Sequence, residues 1–298
     1  MPPGLTAVVL GLVSGRCRTG SGGSRKLNYV ADELTSIDLI SDVVRATPLA
    51  LFSDIDGTLS PIVDDPSAAR VPDEIIDHLR ALAERGAMVA LVTGRSLEVA
   101  RRMVDLPGVA YAAAHGVDLW VDGRSVRPPV VEALGRAASR AIADLRSLEK
   151  RAGIAIEDKG FGLSVHYRQA DDPNEAHAAV LAAIAASRAA GEFELHEGRM
   201  LVELRPKLGM NKGTAVAELV ERFGAGAIIC LGDDITDIDM FQAARRLGSD
   251  ARPAVSVAAR SDEADPSVLN SADYWVDGVD GIRWLLGEIV RAFPRRRP

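Results

Sequence analysis

Residues 49–59 read LALFSDIDGTL, and this stretch decides the fold. Leu49 to Ser53 is a short, almost wholly apolar run, the signature of a strand buried on both faces. It stops abruptly at two acids, Asp54 and Asp56. Side chains in extended backbone alternate with period two, so these two carboxylates lie side by side. Adjacent carboxylates raise each other's pKa. The pair costs stability unless a cation sits with it, and the rest of the sequence has to supply that reason.

Working outward, the same pattern repeats. AMVALV (87–92), VAYAAA (109–114), AIICL (227–231) and AVSVA (254–258) read as further buried strands. Between them lie amphipathic helices. DEIIDHLRALAERG turns Ile75, Ile76, Leu79, Leu82 and Ala83 inward and ends at Gly86, a helix stop. SLEVARRMVD starts at Ser96, an N-cap residue. NKGTAVAELVERFG, DIDMFQAARRLG and GIRWLLGEIVRAF complete the set. Apolar strands alternating with helices predict a parallel sheet covered on both faces.

The rhythm changes in the middle of the chain. VDLWVDGRSV reads as a hairpin turning at Asp122-Gly123. Residues 130–152 fit a helix with Val131, Leu134, Ile142, Leu145 and Leu148 inward. IAIED and GLSVHYR, then an alanine-rich helix from Asn174, then FELHE and MLVELR, give a helix-strand-strand unit twice over. The expected organisation is an extension over residues 1–45, a core over 46–123 and 207–298, and an inserted α+β cap over 124–206.

The bulk numbers set limits. A chain of 298 residues, 47% hydrophobic, can bury one large or two medium cores. A formal net charge of −7 gives no basic surface for nucleic acid. LTAVVLGLV near the start is too short to span a membrane and lacks a basic segment before it, so residues 1–30 read as a disordered extension or as the result of a start codon assigned too early. The two cysteines form no metal spacing. Cys230, inside an apolar strand, reads as an inert buried thiol, and a reducing, cytoplasmic setting fits.

Ligands of open parallel sheets bind beyond the carboxyl ends of the strands. Four groups fall there: DIDGTL, then Thr93-Gly94-Arg95, then His115-Gly116, then GDDITD (232–237). Lys212 opens a helix in the same half. Asp54, Asp56, Asp233, Asp234 and Asp237 thus converge on one edge. Clustered carboxylates on rigid strand ends suit Mg²⁺, a hard cation that takes oxygen ligands. Such a site can bring a phosphate ester to a carboxylate nucleophile, with a second acid handling protons. Thr93 offers a hydroxyl and Lys212 a point charge for the phosphoryl group.

In this order, DIDGTL, TGR, Lys212 and GDDITD resemble the four motifs of the haloacid-dehalogenase-like phosphohydrolases. The resemblance implies an α/β fold: a Rossmann-like parallel-sheet core with an inserted α+β cap of the C2 type. It implies Asp54 as nucleophile and Asp56 as general acid/base. It also implies Mg²⁺ on Asp54, Asp56 (through its carbonyl) and Asp233, with Asp234 and Asp237 in support. Thr93, Gly94, Arg95 and Lys212 would hold the phosphoryl group.

DIDGTLSPIVDDPSAA, AHG, EDKGFGLSVHYR, VELRP, NKG and GDDITDIDMF further resemble the trehalose-6-phosphate phosphatase family over residues ~48–245. That resemblance implies hydrolysis of trehalose 6-phosphate, with His115, Gly116, Glu157, Lys159, His166, Arg168, Arg199 and Glu203 around the sugar. It also implies a functional link to a trehalose-6-phosphate synthase. Carboxylates accept sugar hydroxyls and arginine donates, so those residue types suit the task. The chain departs from the family at Ile55, where an aromatic is common, at Thr93, commonly Ser, and at Ile238, commonly Glu. Two other readings stand beside this one: a phosphatase of another sugar phosphate (sucrose 6-phosphate or a glycosyl-phosphoglycerate), and a silent phosphosugar-binding module.

Overall fold

The computed structural model describes residues 31–126, 131–207, 209–262 and 264–294. The expectation for residues 1–30 lies outside these residues. In chain order the strands are β1 Asp32–Glu33, β2 Leu49–Ser53, β3 Met88–Val92, β4 Ala110–Ala113, β5 Asp118–Val121, β6 Arg124–Val126, β7 Ala155–Asp158, β8 Leu163–His166, β9 Phe193–Gly198, β10 Leu201–Pro206, β11 Ala227–Gly232, β12 Ala254–Arg260 and β13 Tyr274–Asp277. The helices are α1 Ser41–Arg45, α2 Asp73–Glu84, α3 Leu97–Met103, α4 Val131–Leu145, α5 Pro173–Ala186, α6 Lys212–Phe223, α7 Ile238–Leu247, α8 Pro266–Ser271 and α9 Gly278–Ala292.

The larger sheet runs β1-β13-β12-β11-β2-β3-β4-β5-β6. Its strands from β1 to β4 pair in parallel, and β5 and β6 add an antiparallel edge. From β2 the chain winds one way through β3 and β4. After the insertion it returns through β11 and winds the other way. The direction reverses between β2 and β11, where such sheets open a crevice for ligands. The strands explain their own composition. Leu49 and Leu51 enter the core on one face, with α2 and α9, while Ala50 and Phe52 enter the other, with α6 and α7. Covering both faces removes the need for any polar alternation.

The insertion carries a four-stranded antiparallel sheet, β7-β8-β10-β9. Leu163, Val165, Tyr167, Val202 and Leu204 pack on α4 and α5 to form a separate apolar core. The opposite face is polar. Cross-strand register sets Glu157 beside Ser164, Ser164 beside Glu203, and Glu203 beside His196.

Three expectations need correction, and two elements were not expected. Residues 31–45 belong to the core: β1 pairs with β13, and Leu34, Ile40, Val43 and Val44 are buried in it. The extension therefore does not reach residue 45. At the other boundary, β6 pairs with β5 in the larger sheet, so the core passes residue 123. The Asp122-Gly123 turn causes this, with both φ positive (50° and 77°), as a tight hairpin requires. The helix expected to reach residue 152 ends at Leu145 and continues as a 3-10 turn, Arg146–Lys150. Finally, β13 and α8 carry no strong sequence pattern. At four and six residues they are too short to show one, and their neighbours hold them.

Candidate active site

Asp54 directly follows β2, the central strand, and its backbone N–H donates to the Leu231 carbonyl at 3.0 Å. Its carboxylate meets the Lys212 ammonium at 3.0 Å. Lys212 is the first residue of α6, whose start is fixed by a capping box between Asn211 and Thr214. The ammonium also donates to Asp237 at 2.6 Å. The other Asp237 oxygen accepts the backbone N–H groups of Asp233 and Asp234, at 2.9 and 3.0 Å. Asp237 thus ties the loop after β11 to the lysine. Thr58 donates to Asp233 at 2.9 Å, which fixes that carboxylate from the loop after β2. Asp54, Asp233, Asp237 and Lys212 are all buried.

The electrostatics follow from burial. Burial first, and then Asp237 and Asp56, push the Asp54 carboxyl up to about 8, against the pull of Lys212. Burial, Asp237 and Asp54 hold Asp233 well above the ordinary carboxylate range. Burial disfavours the Lys212 charge, but Asp237 and Asp54 outweigh it and raise the ammonium above its usual range. Three buried carboxylates against one lysine leave excess negative charge. Ligand oxygens of Asp54, Asp233 and Asp237 lie within 4.8 Å of one another. An all-oxygen set with uncompensated charge fits a hard divalent cation. Asp237 has both oxygens engaged, so Asp54 and Asp233 are the side chains left to hold one.

Asp56 stands apart from this trio. Arg95 grips its carboxylate with two hydrogen bonds, 2.7 Å from Nε and 2.6 Å from Nη2, and also donates to the Pro66 carbonyl at 2.9 Å. The expectation that Arg95 holds phosphate is therefore revised, because a bidentate carboxylate already satisfies its planar fork. Asp56 keeps only its carbonyl for a metal. Thr93, after β3, is buried, and its hydroxyl accepts the Arg95 backbone N–H at 3.1 Å.

Gly57 shows how tightly the loop is drawn. Its φ is +81°, and a Cβ there would lie 1.9 Å from an Asp233 oxygen. Gly57→Ala is expected to cost roughly 2–4 kcal/mol of stability and to weaken divalent-metal binding. Denaturant melts and metal titration of the variant check both.

The cap meets the core at the third strand end. Ala114, His115 and Gly116 follow β4 with φ of 45°, 58° and 98°. Strain of this kind persists where surroundings over-determine it. Here it aims the His115 ring at the cap, where Nε2 lies 3.1 Å from a Glu203 oxygen. Burial drives the His115 pKa down to about 4, so the neutral ring donates from Nε2. Glu203 also accepts from Lys159 at 3.0 Å and from Arg205 Nε at 2.7 Å. Burial opposes its charge, but Lys159, His115 and Arg205 together hold its pKa well below the ordinary range. Lys159 donates further to the Gly94 carbonyl at 2.7 Å, so Gly94 faces the cap through its backbone. Glu157 pairs with His166 at 3.0 Å and lies 3.9 Å from Lys159.

Not every expected residue joins this cluster. Gly116 packs on α6 instead of facing the cap: a Cβ would come within 2.9 Å of Ala215 and the Asn211 carbonyl. Its role is to let the lysine-bearing helix approach. Arg168 and Arg199 sit at the outer end of the cap sheet, where Arg168 donates to the Arg199 carbonyl at 3.5 Å. The Asp234 side chain is exposed. His177 on α5 is half-buried, 3.0 Å from Glu197. Ile238 opens α7 with no acid in the position the resemblance expects. The sequence reading missed Thr58 and Arg205. Thr58 was legible as the residue after the Gly57 turn, one strand-end away from Asp233. Arg205 carried no signal beyond its period-two spacing from Glu203.

A doubly wound parallel sheet with Asp54, Lys212 and the acids at its strand ends, under an inserted cap, is the architecture of the haloacid-dehalogenase-like fold. A haloacid dehalogenase-like hydrolase from Bacteroides thetaiotaomicron shares the fold, with a TM-score of 0.58 at 16% identity over 81% of this chain and 99% of that one. The C-terminal domain of C. albicans trehalose-6-phosphate phosphatase shares it with a TM-score of 0.72 at 24% identity, over 88% and 99% of the two chains. The sequence profile of the trehalose-phosphatase family matches residues 52–280, and the chain belongs to that family. Trehalose-phosphate phosphatase from Mycobacterium leprae is 34% identical over 277 residues, covering 80% of this chain and 62% of that protein. The Mycobacterium avium protein of the same name is 36% identical over 255 residues, covering 81% and 62%. The chain thus spans about three-fifths of the length of these curated relatives.

Proposed function

We propose that the protein is a Mg²⁺-dependent phosphatase that hydrolyses trehalose 6-phosphate to trehalose and phosphate. The observation that carries this reading is the contact of Asp54 with Lys212 at 3.0 Å, beneath a cap whose polar row reaches the core through Glu203 and Lys159.

In the first step an Asp54 oxygen attacks phosphorus. The bond from phosphorus to the sugar oxygen breaks, and an aspartyl-phosphate forms. Asp56 gives its proton to the departing sugar oxygen. In the second step Asp56 takes a proton from water, the hydroxide oxygen bonds to phosphorus, and the acyl phosphate bond breaks to restore Asp54 and release phosphate. Before either transfer Asp56 has to leave the Arg95 pair, because the carboxylate that Arg95 holds is the anionic form and takes up the proton it gives only once released. Lys212 and the Thr93 hydroxyl meet the phosphoryl oxygens. Asp54, Asp233 and the Asp56 carbonyl would hold Mg²⁺, which would supply charge neutralisation between two anions. Ile238 takes a residue the family commonly has as an acid out of the surroundings, which leaves this scheme intact because no step uses it.

The cap supports a sugar phosphate over a small generic ester. Glu203 and Glu157 present carboxylates in one row, and both are held ionised by basic neighbours. Exchange of Lys159 for sugar hydroxyls on these acids would couple substrate binding to cap movement. Glu203→Gln is expected to lower kcat/KM for trehalose 6-phosphate at least about 30-fold, the scale of one charge-assisted hydrogen bond, and to change p-nitrophenyl phosphate hydrolysis only a few-fold. Equal losses on both substrates would remove the sugar-gripping role. A cytoplasmic setting, and supply of the substrate by a trehalose-6-phosphate synthase, belong to the same reading. The described residues contain no helix long and apolar enough to cross a membrane.

A further inference from the structure

Burying a polar atom without a partner is costly, so each instance calls for a reason. Among the described residues three buried side-chain atoms lack a hydrogen bond: His115 Nδ1, Ser164 Oγ and His177 Nε2. The last lies 3.0 Å from the Glu197 carboxylate and is thereby accounted for. The remaining two flank the same residue. His115 bonds Glu203 across the cap–core seam, and Ser164 is its cross-strand neighbour.

Ser164 lies on β8, between β7 and β10. Its register partners are Glu157 on one side and Glu203 on the other. Paired residues of an antiparallel sheet point to the same face, so Ser164 is the centre of the polar row. It is fully buried. Lys159 explains how: its ammonium lies 3.0 Å from Glu203 and 3.9 Å from Glu157, and so spans the row across the serine position. A strand interior facing helices would use an apolar residue at such a site. Here the hydroxyl faces two carboxylates and a lysine, all of which have their own partners.

We propose that Ser164 is a specificity-determining residue, whose hydroxyl binds a hydroxyl of the sugar once that sugar replaces Lys159 between Glu157 and Glu203. The inference rests on the sugar-phosphatase reading above. A serine hydroxyl both donates and accepts, so it can bridge a polyol hydroxyl that already donates to a neighbouring carboxylate. Its unmet bond in the free protein makes the gain specific to the bound state.

The test is Ser164→Ala, with trehalose 6-phosphate and p-nitrophenyl phosphate as substrates and a thermal melt of the free protein. KM for the sugar phosphate is expected to rise about tenfold, the scale of one hydrogen bond, with kcat within about twofold. Kinetics on p-nitrophenyl phosphate should stay unchanged. The melting temperature should hold or rise, because the variant removes an unpartnered polar atom. A wild type active on the sugar phosphate, with an unchanged KM in Ser164→Ala, overturns the role of Ser164 alone. A lower melting temperature with parallel losses on both substrates assigns the serine to packing and also overturns it. A wild type that hydrolyses p-nitrophenyl phosphate but no sugar phosphate overturns this inference together with the substrate reading.

Discussion

Asp54→Asn is expected to reduce phosphate release by at least about 10⁴-fold on every substrate, while the protein stays folded. The amide cannot form the aspartyl-phosphate, so the loss falls on the chemical step and cannot be recovered by raising substrate or metal. Stability should move in the opposite direction. Asp54 is a buried carboxylate whose pKa is pushed up to about 8, chiefly by burial and then by Asp237 and Asp56. Replacing it with a neutral isostere removes like-charge repulsion and leaves Lys212 its bond to Asp237 at 2.6 Å. The metal-free variant is therefore expected to melt at or above the wild-type temperature. A large drop in melting temperature would mean that the Asp54–Lys212 pair is a structural bridge first and a reactive site second. Such a pattern, with activity falling and stability holding, separates a nucleophile from a scaffold residue.

The second large effect concerns Lys212. Lys212→Met leaves the Asp54 and Asp237 carboxylates buried without their cation. Removing one partner of a buried ion pair costs about 3–5 kcal/mol, which is on the order of 10 °C in melting temperature for a chain of this size. The pH dependence has a definite sign. Without Lys212 the folded-state pKa of Asp54 stands above its unfolded value by more than in the wild type. A carboxyl with a raised folded pKa binds more protons when folded, so stability falls as pH rises through that range. The deficit of Lys212→Met against wild type should therefore stay level from about pH 5 to 7, where Asp54 is protonated in both folded proteins, and grow as pH rises above about 8. Melts across that range check it. A deficit independent of pH would place the cost in packing instead of uncompensated charge. Turnover should fall at least about 10³-fold as well, since one preorganised cation at the phosphoryl group is worth that much.

Much of this site was legible because strand ends obey a simple geometry. DIDGTL, TGR and GDDITD each follow an apolar run, and parallel strands bring their carboxyl ends to one edge whatever lies between them in sequence. Asp54, Asp233 and Asp237 needed no further information to be placed together. Other features depend on long-range contacts that no periodicity encodes. Arg95 was expected on phosphate, but Asp56 offers two oxygens to its fork. Gly116 reads like a site glycine, yet its use is the close approach of α6. Arg168 and Arg199 lie in turns beyond the ends of β8 and β9, where alternation along a strand no longer fixes a face or says how far the core reaches. Residues 31–45 looked like part of an extension because β1 has only two residues, and it is strand pairing with β13 that fixes it.

The central claim is that this strand-end cluster performs metal-dependent phosphoryl transfer on a trehalose phosphate. The most direct measurement is phosphate release by the purified full chain from a panel of sugar phosphates that includes trehalose 6-phosphate, sucrose 6-phosphate and a glycosyl-phosphoglycerate, with Mg²⁺ and with EDTA. The account predicts a strong preference for trehalose 6-phosphate that EDTA abolishes and added Mg²⁺ restores. Release that ignores EDTA, or binding of the sugar phosphates without any release in Mg²⁺, would contradict it.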